Sequence, residues 1–202
     1  MGGKAKTPDQ LELLYGKIME FLHGIDIEVI LIYGTLLGYY RENNFINGDD
    51  DVDILVSRDD FNRLKDIAFT TNLTIKNINV VRIFYTNTNI FSDNILQFYY
   101  KGEGPFDVCA YDFYEDNVLI KEDSLLYQTS DFFPLKKIFF RGFSVNIPYN
   151  IEKLLEITYG ENWKVPQTKW KDYHPYDIYK KHQYKPTYIY KLPNIKIKHP
   201  RI

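Results

Sequence analysis

Tyr33-Gly34-Thr35-Leu36-Leu37-Gly38-Tyr39-Tyr40-Arg41 leads through a short loop to Phe45-Ile46-Asn47-Gly48-Asp49-Asp50-Asp51-Val52-Asp53-Ile54, and this stretch decides the fold. Ile27 to Tyr33 is a run of apolar and β-branched residues and predicts a strand. Thr35 to Tyr40 is apolar and opens directly after Gly34, which predicts a tight turn into a helix. Glu42 to Gly48, rich in Asn and Gly, reads as a loop. Asp51 to Val56 alternates charged and apolar residues, so it predicts a half-buried strand with Asp51 and Asp53 on one face and Val52 and Ile54 on the other. Carboxylates crowded in this way repel one another, and burying several is costly without a cation. Mg²⁺ takes oxygen ligands, commonly one or two carboxylates together with substrate phosphates. Taken alone, such an acidic run is more often a solvated turn. Gly34-Thr35 shifts that balance, because glycine admits close backbone approach by a phosphate, a helix N-terminus offers free N–H groups, and the threonine hydroxyl adds a donor.

Outward from this core, Thr7, Pro8 and Gln10 form a capping box with proline at the first helical position, and Leu11, Leu14, Tyr15, Ile18, Phe21 and Leu22 recur at helical spacing. The helix runs from Pro8 to His23, and Gly24 is its expected terminator. Residues 1–6 read as a frayed tail. Ser57 and Asp60 cap a second helix reaching about Phe69. Strands are predicted over Thr74–Ile78, Val80–Tyr85, Asn94–Tyr100 and Phe106–Phe113, and Lys136–Phe140 with Phe143–Ile147 form a hairpin turning at Arg141-Gly142. Asn150 caps a helix through Tyr159 that Gly160 closes. The strand at Phe106-Asp107-Val108-Cys109 places one charge among apolar residues, and a third metal ligand or a salt-bridged carboxylate would each account for it. These elements predict an α+β domain over residues 1–166, a mixed sheet flanked by helices, followed by an irregular, basic tail over 167–202 rich in Tyr, Lys and Pro.

Composition narrows the functional class. The 202 residues are 45% hydrophobic and 26% charged, enough for one globular domain. A net charge of −2 gives no global electrostatic case for nucleic acid. Cys109 is the sole cysteine, so an internal disulfide and a cysteine-built zinc site are both excluded, and a reducing compartment fits. No apolar stretch is long enough for a membrane span and Met1-Gly2-Gly3-Lys4 lacks a signal-peptide core, so the expected location is cytoplasmic or soluble intracellular. The tail cations His174, Lys180, Lys181, His182 and Lys185 read as a solvated face before they read as an anion-binding one. Oligomeric state is left open.

The motifs together resemble the LicD family, which includes the fukutin and fukutin-related proteins. Its pattern is roughly GTLLG-x-x-R, a short loop, then F-I-P-W-D-D-D-x-D, matched here by Gly34–Arg41 and Phe45–Asp53. Asp107-Val108-Cys109-Ala110-Tyr111-Asp112-Phe113 is similar to the later D-h-F-P-h-D strand. Phe133-Pro134-Leu135-Lys136, Val145–Pro148 and Leu154–Trp163 are similar to its closing segments, in the family's order. This chain departs at Asn47-Gly48, where the family has Pro-Trp, at Cys109-Ala110, where it has Phe-Pro, and at Glu42-Asn43, where it has His-Gly.

The resemblance implies a nucleotidyltransferase-like fold and metal-dependent transfer of a phosphorylated small group, phosphocholine or a polyol phosphate. The implied donor is a nucleotide diphosphate, CDP-linked, and the implied acceptor is a glycan or glycan-precursor hydroxyl. Asp51, Asp53 and Asp107 are then the catalytic residues and ligands of Mg²⁺ or Mn²⁺, Gly34, Thr35, Arg41 and Lys136 touch substrate, and Asp49 and Asp50 support the site, with Asp50 pointing away from the metal pair. A choline-bearing donor would need an aromatic cage. Tyr39, Tyr40, Phe45, Tyr111 and Phe113 are candidates, each more readily read as core. Two other functions stay open: transfer of a nucleoside monophosphate to a small acceptor, and an inactive fold that binds a glycan or nucleotide.

Overall fold

A computed structural model of the chain describes residues 4–70, 77–85, 90–121 and 125–166. The basic tail at 167–202 and most of the strand expected over Thr74–Ile78 lie outside the described residues. Helix α1 (Pro8–Gly24) begins with the expected box: the Thr7 N–H donates to Gln10 Oε1 at 2.9 Å, and the Gln10 N–H to Thr7 Oγ1 at 3.4 Å. Gly24 stays inside the helix, and the left-handed residue after its end is Asp26, φ 54°. Asp tolerates that conformation through its short polar side chain, so glycine is not needed there.

Strand β1 (Ile30–Leu31) is shorter than expected: both residues pair with Leu55 and Ile54 on one side, and Ile30 pairs with Asn146 on the other. It feeds α2 (Tyr33–Glu42) through Tyr33, whose φ of 48° makes the sharp turn. β2 (Val52–Ser57) follows, then α3 (Arg58–Thr70), capped by Ser57 Oγ accepting from the Asp60 N–H at 3.1 Å. β3 (Ile78–Tyr85), β4 (Ile90–Tyr100) and β5 (Glu103–Tyr114) form an antiparallel meander. β6 (Asn117–Ile120), β7 (Leu125–Gln128) and the short α4 (Thr129–Phe132) extend β5 into a small antiparallel subsheet that the sequence patterning does not announce. β8 (Lys136–Phe140) and β9 (Phe143–Ile147) make the expected hairpin, with both turn residues Arg141 and Gly142 at positive φ. α5 (Ile151–Tyr159) closes the domain between Asn150 and Gly160.

Among the described residues the strands form one mixed sheet in the order β3-β4-β5-β2-β1-β9-β8. β2 and β5 are parallel central neighbours, with Asp53 opposite Asp107. β4 lies antiparallel on the other side of β5, pairing Phe98 with Phe106 and Gln97 with Asp107. Side chains alternate across a sheet, so the aromatic pair and the polar pair face opposite ways. α1 covers the aromatic side: Tyr15 stacks on Phe106 with centroids 6.3 Å apart, and Phe21 packs on Phe98 at 6.2 Å. The polar pair is left to the other face.

Candidate active site and metal centre

The carboxylates owe their positions to two turns. Gly34 sits at the start of α2, and a Cβ there would lie 2.6 Å from Asp49 Oδ2 and 3.5 Å from Asp53 Oδ2. Only a residue without a side chain lets the Asp49 carboxylate reach the helix start, where free N–H groups and the helix dipole favour negative charge. Gly38 does the second job. A Cβ there would meet Asn44 O at 2.5 Å and Ile46 N at 3.1 Å, so the loop after α2 packs backbone to backbone and returns the chain to Asp49.

From that loop the chain enters β2. Carboxylate oxygens of Asp51, Asp53 and Asp107 lie within 4.8 Å of one another. The parallel register explains Asp53 and Asp107, which are cross-strand partners on one face. Asp51 precedes the first paired residue and joins them from the loop side. Asp49, Asp50 and Asp51 converge within the same 4.8 Å limit as a second group, which shares Asp51 but not Asp53 or Asp107. Strict alternation holds along a paired strand, and residues 49–51 lie before β2 begins.

Electrostatics match this crowding. Burial, then the charges of Asp49, Asp107 and Asp50, push the Asp51 carboxyl up to about 8 against the pull of Lys6. Burial pushes Asp49 up to about 6, opposed by the backbone N–H of Asp50 and by Lys6. Tyr159, the last residue of α5, lies in the same field: burial first, then Asp53 and Asp49, hold its phenol well above its usual range. A cluster in which ionised carboxylates oppose one another is what a divalent cation would relieve, so the residues fit such an ion.

Of the remaining expected residues, Thr35 is buried and its hydroxyl accepts the Asp53 N–H at 2.8 Å, which turns it toward β2 as a brace for Asp53. Arg41, whose side chain is 11% exposed, lies 3.6 Å from Glu42 and keeps a buried Nη1 without a hydrogen-bond partner among the described residues. Lys136 is exposed and occupied elsewhere, donating to Tyr149 O at 2.8 Å with its ammonium 4.5 Å from the Tyr149 ring. The aromatic candidates fall in separate places. Phe45 is core against Tyr15 and Phe140. Tyr39 packs on Phe140, and Tyr40 on Trp163. Tyr111 and Phe113 join Phe132 and Phe133 further along β5, with Tyr111 roughly 13 Å past Asp107 at the usual strand rise.

Three residues escaped the sequence reading. Lys6 is only 7% exposed, so the frayed tail expected over residues 1–6 does not extend to it. Its N–H donates to Asp49 O at 2.8 Å, its carbonyl accepts the Gly48 N–H at 2.9 Å, and its ammonium donates to Asp50 O. Gln97 donates to Asp107 Oδ1 at 3.0 Å, and Tyr99 donates to Gln97 Oε1 at 3.1 Å. Only the alternation of β4 hinted at the last two, and nothing in the sequence pairs them with Asp107.

With this geometry in hand, a family model described as "LicD/FKTN/FKRP, nucleotidyltransferase domain" matches residues 26–150, more than half of the chain. The chain belongs to the LicD family. The LicD match spans every expected site residue, from Gly34 to Lys136. Among solved structures, the LicD-family chain is similar to the lincosamide antibiotic adenylyltransferase LnuA, solved with lincomycin bound, at a TM-score of 0.50 and 10% identity, covering 89% of this chain and 99% of that one. At that identity the likeness speaks for the nucleotidyltransferase fold alone. No curated protein matches the chain in sequence. Family and fold together support a transferase, and the aspartate cluster could hold a divalent metal. No helix among the described residues is long and apolar enough to cross a membrane.

Proposed function

We propose that the chain transfers a phosphorylated small group, phosphocholine or a polyol phosphate, from a CDP-linked donor to a hydroxyl of a glycan or glycan precursor, with Mg²⁺ or Mn²⁺ held by Asp51, Asp53 and Asp107. The observation that carries this reading is the convergence of those three carboxylates beside the start of α2. The bound ion would supply charge neutralisation for the donor diphosphate and for the departing nucleotide phosphate.

The chain's own residues do the rest. The acceptor hydroxyl oxygen bonds to the phosphorus of the transferred group, the bond from that phosphorus to the bridging oxygen breaks, and the nucleoside monophosphate leaves. Asp107 or a neighbouring carboxylate receives the hydroxyl proton. A phosphate oxygen at Gly34 would take the place of the Asp49 carboxylate that packs there, and Thr35 holds Asp53 from behind. Arg41 offers its Nη1, which has no partner among the described residues, to an anionic group. Lys136 is a phosphate contact only if it leaves Tyr149. Asp49, Asp50 and Lys6 keep the approach loop in shape, and residues 1–166 form the working unit.

The test is a thermal-shift screen of CDP-, UDP- and GDP-linked donors with Mg²⁺ and Mn²⁺, followed by phosphorus NMR of the products with CTP and ATP in parallel. A metal-dependent rise with CDP-linked donors and release of CMP supports the proposal. Pyrophosphate release from CTP or ATP would instead assign nucleotidyl transfer. Binding without turnover under every condition would assign an inactive binding fold.

A further inference from the structure

Asp107 reaches the cluster from β5, whereas Asp53 comes from β2 and Asp51 from the loop before it, and rotation of a carboxylate about its last torsion is soft. Something must set that rotation if both oxygens are to have fixed roles. Gln97 stands directly across β4–β5 from Asp107. Its amide nitrogen lies 3.0 Å from Oδ1 and 3.4 Å from Oδ2. An amide has a donor end and an acceptor end of similar size, and only its surroundings decide which end faces the carboxylate. Here the Tyr99 hydroxyl donates to Gln97 Oε1 at 3.1 Å, which leaves the amine end for Asp107. Tyr99 is pinned in turn: a Cβ on Gly104 would come within 2.5 Å of its Cδ1, so the ring lies against bare backbone.

We infer that Gln97 and Tyr99 are positioning residues for the proposed reaction, a chain from Tyr99 through the Gln97 amide that fixes the Asp107 carboxylate for the cation it shares with Asp51 and Asp53. The inference rests on the metal reading above. Hydrogen bonds that orient a metal's ligands are worth about 10- to 100-fold in affinity or activity. Tyr99 acts only through Gln97, so its contribution disappears when Gln97 is gone.

The experiment measures Mn²⁺ affinity of the full chain from free Mn²⁺ by electron paramagnetic resonance, with metal-free melting beside it, for the unaltered protein, Gln97→Met, Tyr99→Phe and the double variant. Gln97→Met keeps length and bulk and loses both amide ends, and it is expected to weaken Mn²⁺ binding about 10- to 100-fold. Tyr99→Phe permits the amide to turn over and is expected to weaken it by less, about 3- to 10-fold. The double variant is expected to match Gln97→Met alone. Undiminished affinity in Gln97→Met, or a Tyr99→Phe effect that multiplies onto it, overturns the inference. Should Gln97→Met not fold, undiminished affinity in Tyr99→Phe overturns it. Absence of Mn²⁺ binding by the unaltered protein overturns the metal reading itself, which makes the two failures distinguishable.

Discussion

Replacing Gly34 by alanine sets helix propensity against site geometry. Gly34 is not among the positive-φ glycines, so its backbone accepts a side chain without strain. Alanine in a helix is favoured over glycine by about 0.5–1 kcal/mol, which argues for an unchanged or slightly raised melting temperature. The new methyl, however, would sit 2.6 Å from Asp49 Oδ2, where ordinary contact begins at 3.4 Å. The carboxylate must therefore recede by 3.4 − 2.6 = 0.8 Å. Asp49 Oδ1 accepts the Asp50 N–H at 3.0 Å, so its retreat shifts the loop that delivers Asp51. A 1 Å misplacement of a working group costs about 10²-fold, and a support displaced by slightly less should cost on the order of 10-fold, near 1.4 kcal/mol. The assay is Mn²⁺ affinity and donor-induced thermal shift on the variant, beside its metal-free melting curve. Retained stability with Mn²⁺ binding weakened about tenfold is the expected pair. Full Mn²⁺ affinity and an unchanged donor response in Gly34→Ala would refute the steric reasoning.

Other consequences follow from the charges. Asp51 is raised to about 8 and Asp49 to about 6, so the folded chain keeps protons that the unfolded chain sheds near 3.8. Metal-free stability should thus fall as pH climbs from about 4 to 8, and the Mg²⁺-induced rise in melting temperature should grow over the same range; a flat response in both would contradict the cluster's electrostatics. Lys6→Met removes the ammonium from Asp50 O and its charge from Asp49 and Asp51, with an expected loss of about 1–3 kcal/mol that is larger at pH 8 than at pH 5, read by denaturant melts at both. Asp112→Asn breaks the two-pronged pair with Arg58, at 2.9 and 2.7 Å, and should cost about 1–3 kcal/mol without altering Mn²⁺ affinity, since Asp112 lies on the sheet face opposite Asp107.

What the sequence disclosed depended on whether the signal was local. The Thr7–Gln10 box, the Ser57 and Asn150 caps and the hairpin turning at Arg141-Gly142 are decided within a few residues, and each formed where its chemistry required. The Asp51–Asp53 spacing was legible for the same reason. Asp107 was visible as an out-of-place charge, but its meeting with Asp53 is a matter of β2–β5 register, which no local pattern records. Gln97 was silent on the same ground. Alternation cannot place Asp50, which lies ahead of the strand and groups with Asp49 and Asp51 rather than with Asp53 and Asp107. Lys6 hid in a short polar segment without periodicity, and its burial comes from backbone pairing with Gly48 and Asp49, more than forty residues away. β6 and β7 bury apolar residues in strands of only four residues, too short for a period to register.

The central claim is that Asp51, Asp53 and Asp107 together hold a divalent cation. The most direct measurement is an anomalous-difference map from crystals grown with Mn²⁺, for the unaltered protein and for Asp53→Asn. A strong peak bounded by the three carboxylates is expected in the first and its loss in the second, with the fold unchanged. A map with no peak there, or a peak that survives in Asp53→Asn at full occupancy, would contradict it.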